Sequence, residues 1–272
     1  MRREPLMLTL LLLPAGIFFS AFFLLPLARL VLVGASGQLG LAAYTSIVTD
    51  AGYLSSLLAT LILAAATTII TLAISGATGV FIQRNSFPGR TLLIAMLTLP
   101  LAFPGVVIGF MVIVLAGRQG LIGNLTMALT GDRLVFAYSM AGLLMGYVYF
   151  SIPRTILTVM ATAEKLDPRI EEAARSLGAT PWQVVRDVII PGLKPALISA
   201  GAICFATAMG AFGTAFTLAT RINVLPMVIY TEFTLQANIA MAAALSFVLG
   251  AVTWLALAVA RTASGASVAA AG

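Results

Sequence analysis

The sequence predicts an all-α fold: a polytopic transmembrane helical bundle of six spans. Three observations predict it. Of the 272 residues, 61% are hydrophobic and the mean hydropathy is +1.08, which leaves too little polar surface for a water-soluble domain of this size. Six apolar runs each reach the length of about 20 helical residues that a hydrocarbon core requires. The basic residues between the runs gather on one side, as they do in polytopic membrane proteins.

The runs cover residues 6–33, 54–82, 92–116, 134–162, 195–219 and 239–260. The first follows Arg2 and Arg3, as a secretory leader would. It is longer than the apolar stretch of such a leader and has no clear small-residue cleavage site before Arg29, so it is read as a span. The third carries Pro100, Pro104 and the pair Gly105 and Gly109; the fourth carries Gly142 and Gly146. Small residues four apart let helices approach closely. Proline interrupts the backbone ladder, so neighbouring elements must satisfy the freed carbonyls. Together these features favour a packed bundle over loosely associated anchors.

Orientation follows from the loops. Arg2, Arg3, Arg84, Arg90, Arg154, Lys165, Arg169, Arg175, Arg186, Lys194 and Arg261 lie on one side by this reading. Arg29, Arg118, Arg133 and Arg221 lie on the other. Eleven of fifteen basic residues on one side place both termini in the cytoplasm. The net charge of +6 is thereby explained without nucleic acid. The chain has no histidine, and its one cysteine, Cys204, sits in an apolar run. Zinc sites and histidine-based triads therefore lack their usual ligands and bases, and no metal site or catalytic residue is expected. Ionisable groups at mid-span, the usual mark of an ion-coupled carrier, are not expected either: Asp50, Asp132 and Glu232 fall in or near loops.

The loop between the fourth and fifth spans, residues 164–194, is different in kind. It holds ten of the chain's 24 charged residues. Asp167 followed by Pro168 is a helix start, an N-cap and then proline at the first helical position. Ile170, Ala173, Ala174 and Leu177 form an apolar stripe, with Arg169, Glu171, Glu172, Arg175 and Ser176 on the other face. Gly178 suits the left-handed position that ends a helix. Thr180-Pro181 repeats the start signal, and a second short helix over 182–189 is expected to end at Pro191 and Gly192. The loop thus reads as a helix–turn–helix hairpin. DNA-binding helix–turn–helix segments look locally similar, but a setting between two spans argues against that role.

The same residues carry a motif. Glu172-Ala173-Ala174, then Gly178, then nine residues, then Val188-Ile189-Ile190-Pro191 resembles the E-A-A, three residues, Gly, nine residues, I-x-L-P pattern of the permease subunits of bacterial ABC importers. Val and Ile stand where that family has Ile and Leu. The likeness extends from about span 2 to span 6. "FPGR" at 87–90 and "LPLAFPGVVIG" resemble the polyamine, iron(III), sulfate and phosphonate branch.

The resemblance implies a type I importer permease fold, similar to the methionine importer, in the bacterial inner membrane. It divides the chain into a first span with its periplasmic loop (1–53), a core permease domain of five spans (54–262) containing the hairpin, and a flexible tail (263–272). It implies that the hairpin is a coupling helix docked on an ATP-binding subunit. Glu171, Glu172, Ala173, Ala174, Arg175, Gly178 and Pro191 are then the coupling residues. Glu172 would touch the ATPase, and Gly178 would permit the turn. The implied partners are an ATPase dimer, a second permease, identical or homologous, a periplasmic or lipid-anchored substrate-binding protein, and membrane lipid. The chain needs no cofactor of its own, and ATP and Mg belong to the ATPase.

The chain's only lysines, Lys165 and Lys194, lack the phosphate-cradling G-x-x-x-x-G-K-[ST] context, so hydrolysis by that route is excluded here. The competing classes are an ion-coupled carrier, disfavoured by the absence of mid-span acids, and a channel or scaffold, which predicts no ordered docking hairpin. Thr67, Thr71, Ser139, Thr207 and Thr214 are candidates to line a pathway, although hydrogen bonds within or between helices account for such residues equally well. Overall likeness puts polyamine (spermidine or putrescine) first as solute, with 2-aminoethylphosphonate, iron(III) and other small solutes behind it. A polycation pathway would be expected to carry acids, and the chain offers few.

Overall fold

A computed structural model describes residues 4–218 and 222–264 of the chain. Arg2, Arg3, Arg221 and the expected tail from residue 265 onward lie outside the described residues. The described residues fold into helices joined by short turns. In order these are α1 (Glu4–Phe19), a π-helical turn (Ser20–Leu24), α2 (Leu25–Gly34), α3 (Ala42–Thr49), α4 (Ala51–Arg84), α5 (Arg90–Thr98), a 3-10 turn (Leu99–Ala102), α6 (Gly105–Ala116), α7 (Leu121–Thr130) and α8 (Met140–Lys165). They continue with α9 (Pro168–Ser176), α10 (Pro181–Val184), a second π turn (Val185–Ile189), α11 (Ile190–Met209), α12 (Gly213–Leu218), α13 (Leu225–Thr234) and α14 (Ile239–Ser264). Among the described residues six stretches are long and apolar enough to cross a membrane: Leu11–Gly34, Ala51–Arg84, Gly105–Thr130, Met140–Lys165, Pro181–Met209 and Ile239–Thr262.

Two expected spans are drawn differently. The run at 92–116 is broken: α5 and the 3-10 turn end at Phe103, which is extended, and α6 begins only after Pro104. The prolines decide this. Each lacks an N–H, and the carbonyls they free are taken by nearby amides, Leu99 N–H on Met96 and Phe103 N–H on Pro100. The stretch Gly105–Thr130 counts as a span only when α6 and α7 are taken together; the backbone leaves helical geometry at Gly117, with ψ of −175°. The fifth span begins earlier than 195. The expected helix end at Pro191 does not occur, and the chain is helical from Pro181 through the π turn into α11. The wider π turn re-registers the ladder just before Pro191, and the Ile190 amide reaches back to Val185. Proline at the first turn of α11 is then tolerated because its missing N–H is not called on.

The chain forms two compact units, Met1–Leu57 with Val228–Ala251, and Leu58–Met227 with Val252–Gly272. In the first unit the Tyr44 hydroxyl donates to the Val31 carbonyl at 2.6 Å, and its ring meets Phe247 edge-on. Glu232, expected in or near a loop, lies in the last turn of α13 and is buried there, where Tyr53 donates to it at 2.7 Å. In the second unit, α6 packs on α12 through the glycines. A Cβ on Gly109 would lie 2.6 Å from Thr217, and one on Gly105 3.1 Å from Thr214. Thr214 Oγ1 donates across to the Gly105 carbonyl at 3.0 Å. The small-residue pattern is therefore a contact between helices. Val159, Ala163, Val184, Ile189 and Leu193 form a buried cluster that joins α8 to the helix running into α11.

Candidate functional site: the α9–α10 hairpin and the α8–α11 groove

The hairpin is built from local signals that act in the expected places. Asp167 caps α9, its Oδ1 accepting from the Arg169 amide at 2.9 Å. Gly178 has φ of +86°, the left-handed conformation, and open space around its Cα. The Gly178 amide donates to the Arg175 carbonyl at 2.9 Å, and the Ala179 amide to the Ala174 carbonyl at 3.1 Å, which closes the helix end. Thr180 and Gln183 then form a reciprocal capping box, with bonds of 3.3 and 2.7 Å, and start α10.

The apolar stripe expected to seat α9 is split between its inner and outer faces. Ile170 and Leu177 of the apolar stripe are 55% and 89% exposed, and Trp182 of α10 is 66% exposed. The residues turned inward are Glu171, which is buried, and Ala174, which packs on the cluster below. Glu171 faces inward because Arg84, at the end of α4, waits there. Arg84 Nη2 lies 2.7 Å from Glu171 Oε1 and donates to the Leu166 carbonyl at 3.0 Å. The Arg84–Glu171 contact is ionic rather than a well-aligned hydrogen bond, so Arg84 Nε and Glu171 Oε1 lack a formal hydrogen-bond partner. Arg175 sits one turn on, 4.0 Å from Glu171 Oε2. Glu172, Ala173 and Arg175 point out with the apolar residues, and Pro191 is exposed in the first turn of α11. Sequence reasoning missed Arg84. The only signal was a basic residue at the end of a span, and nothing local names its partner.

The expected pathway residues do not come together. Thr67 and Thr71 are fully buried on α4, and their hydroxyls have no hydrogen-bond partner among the described residues. Ser139 caps α8, donating to the Phe136 carbonyl at 2.6 Å and accepting from the Gly142 amide at 3.4 Å. Thr207 and Thr214 do meet, at a cavity of about 230 Å³ lined also by Tyr147, Phe150 and Ser151. This space adjoins a narrower one of about 20 Å³ through Phe150, Ser151 and Thr207. The narrower space continues between α8 and α11 past Arg154, Thr155 and Thr158. No carboxylate lines either space. Arg154, counted above with the basic residues of one side, lies within a helix rather than in a loop. It sits inside α8, well before Lys165, and is exposed on the groove. A wider hollow of about 560 Å³ in the first unit, lined by residues 37–39, 43 and 236–241, carries no charge.

The described residues, all helices and turns with six stretches apolar enough to cross a membrane and one ordered, charged hairpin between two of them, define a multi-pass membrane protein. Comparison with known proteins agrees. Residues 75–265 match the family described as binding-protein-dependent transport system inner membrane component. The sulfate transport system permease protein CysT of Escherichia coli strain K12 is 33% identical over 206 residues, 76% of this chain and 73% of that one. The molybdenum transport system permease protein ModB of the same strain is 34% identical over 152 residues, 54% of this chain and 66% of that one. The putative 2-aminoethylphosphonate transport system permease protein PhnU of Salmonella choleraesuis is 29% identical over 245 residues, 88% and 85% of the two chains. Among solved structures, a chain of a bacterial alginate ABC transporter in complex with an alginate-bound periplasmic protein superposes with a TM-score of 0.83 at 18% identity, covering 97% of this chain and 95% of that one. The chain belongs to the binding-protein-dependent inner membrane permease family of ABC importers. It is a translocation subunit of the inner membrane, with the fold of these permeases.

Proposed function

We propose that this chain forms one half of the membrane pathway of an ATP-driven importer, paired with a second permease, identical or similar, and driven by two ATP-binding subunits. The observation that carries the coupling role is the outward face of the hairpin. Ile170, Leu177 and Trp182 stand exposed beside Glu172 and Arg175, on a hairpin whose inner face is tied down. Exposed apolar side chains ringed by charge on a rigid element are what a docking surface needs. The ATPase covers that face, with Glu172, Ala173 and Arg175 as its contacts. Glu171 and Ala174 pass its motion inward to α4 and α8, Gly178 sets the angle between the two helices, and Pro191 lies where the hairpin runs without a break into α11. ATP and Mg are bound by the partner, and a separate binding protein delivers the solute. Both termini and the hairpin face the cytoplasm, on the basic asymmetry of the loops, which stands without Arg154.

The solute is a small oxyanion of the sulfate, molybdate or phosphonate kind. The names of the three relatives above support this, as does a groove that carries an arginine and no acid. Polyamine, first by overall likeness alone, would meet a like charge there.

The coupling role is tested with Glu172→Lys in the complete transporter. Insertion stays normal, because Glu172 is exposed and unpaired with the bundle. Uptake falls about tenfold or more, because a reversed charge at a docking surface repels its partner. Wild-type uptake, with ATP hydrolysis stimulated normally by loaded binding protein, would remove the coupling role. The solute is tested by uptake of labelled sulfate, molybdate, 2-aminoethylphosphonate and spermidine. Uptake of spermidine alone overturns the oxyanion reading and leaves the coupling role standing.

A further inference from the structure

We infer that Arg154 is the residue through which the pathway recognises its passing anion. The inference deepens the oxyanion reading and rests on it. Ser151, Arg154, Thr155 and Thr158 recur at the i, i+3, i+4, i+7 spacing of one helix face, and all line the groove against α11. Arg154 lies about 16 Å of helix rise before Lys165, beyond the reach of an extended arginine side chain. A charge within a helix long and apolar enough to cross a membrane is turned to water or to a partner, because hydrocarbon does not solvate it. Its guanidinium makes no ion pair or hydrogen bond among the described residues, and no carboxylate lines the groove.

Three of the hydroxyls around it have their protons committed, and the fourth, Ser151, brings a single O–H. Thr155 donates to the Ser151 carbonyl at 3.0 Å, Thr158 to the Arg154 carbonyl at 2.9 Å, and Thr207 to the Cys204 carbonyl at 2.9 Å. Their protons are committed to the helices, and what they offer the groove is lone pairs. Arg154 is therefore the donor-rich group here, with a planar fork of N–H bonds that matches two oxygens of a tetrahedral oxyanion. An exposed guanidinium, flanked by acceptors that do not neutralise it, binds such an ion weakly enough to release it.

The test uses the whole transporter, with its ATPase and binding protein, in proteoliposomes, and reads sulfate and molybdate uptake per inserted molecule. Arg154→Gln is expected to lower uptake at least tenfold while loaded binding protein still stimulates ATP hydrolysis, because the hairpin is untouched. Arg154→Lys, which keeps the charge but not the fork, is expected to fall between wild type and Arg154→Gln, and Arg154→Glu to abolish uptake. Arg154→Met replaces the glutamine variant if that one fails to insert. Neutral variants at wild-type rate, or Arg154→Lys no better than Arg154→Gln, overturn the inference; the second result would mean that Arg154 serves packing or pairs with a carboxylate of the second permease. Wild-type protein that moves no oxyanion overturns the substrate reading along with it, whereas oxyanion uptake that is indifferent to Arg154 sinks this inference alone.

Discussion

The hairpin and the α6–α12 contact solve the same problem by opposite means. Each must hold two helices in one fixed geometry. At the hairpin, position comes from what side chains add: an Asp cap, a Thr–Gln capping box and an ion pair from Glu171 to Arg84. Between α6 and α12, position comes from what side chains leave out. Gly105 and Gly109 let the backbones close until Thr214 and Thr217 hydroxyls reach carbonyls of the facing helix, at 3.0 and 3.3 Å. The difference follows from the surroundings. Apolar burial gives little drive between helices already in lipid, so close approach and hydroxyl bonds carry the contact. At the ends of the spans, charge and capping can be used because water is there to solvate the unused groups.

Substitutions can break each side of this comparison separately. The largest effect is expected for Gly109→Leu. Its Cβ alone would lie 2.6 Å from Thr217 Cβ, so α6 and α12 must separate at a cost of about 3 kcal/mol or more. Thermal unfolding of the purified permease measures it, and an unchanged melting temperature would mean the contact is slack. Glu171→Ala is next. It leaves Arg84 without its ion-pair partner in a partly buried site, where removing one partner costs about 2 kcal/mol after allowance for the residual exposure. A double-mutant cycle with Arg84→Ala isolates the pair, and a coupling energy near zero would show that packing alone seats α9.

Gly178→Val follows, at about 1 to 2 kcal/mol. The cost is backbone strain, because φ is +86° while the space around Cα is open. Hydrogen exchange is expected to rise in α9 and α10 and to stay unchanged in the spans. Uptake falls with it through a misdirected α10, while insertion persists. Equal loosening of the spans would show that the hairpin is not a separate unit. The smallest effect is expected for Thr180→Ala, about 1 kcal/mol for loss of the cap, read as faster exchange confined to the start of α10. Gln183→Ala should give a similar result, since the two side chains form one box.

Much of the hairpin was legible in the sequence, because its signals span only a few residues. Asp167-Pro168, Gly178 and Thr180-Pro181 each act on backbone groups two or three positions away, and each does so in the structure. The orientation of α9 was not legible. An amphipathic pattern identifies two faces without saying which residues turn inward, and in this chain an ion pair draws Glu171 in beside Ala174 and leaves Ile170 and Leu177 outside. Pro191 misled for a related reason: proline ends an α-helix, but a π turn ahead of it removes the demand for its missing N–H. The pathway residues were the least legible. Thr207 and Arg154 become neighbours only when α8 and α11 pack together, and no periodicity within one helix records that pairing.

The sequence by itself determined the solvent of this protein, the number of its spans, the place of its hairpin and the membership its motif announces. Composition, hydropathy and capping are sums over neighbours in the chain, and they survive whatever the helices do in space. Only the tertiary structure decided that Arg84 holds Glu171, that Ile170 and Leu177 face out, that Gly109 meets Thr217, and that Arg154 looks into a groove without a counter-charge. Each of these depends on which helix lies beside which. That choice is made by packing across the bundle, among residues far apart in sequence, and no local pattern encodes it.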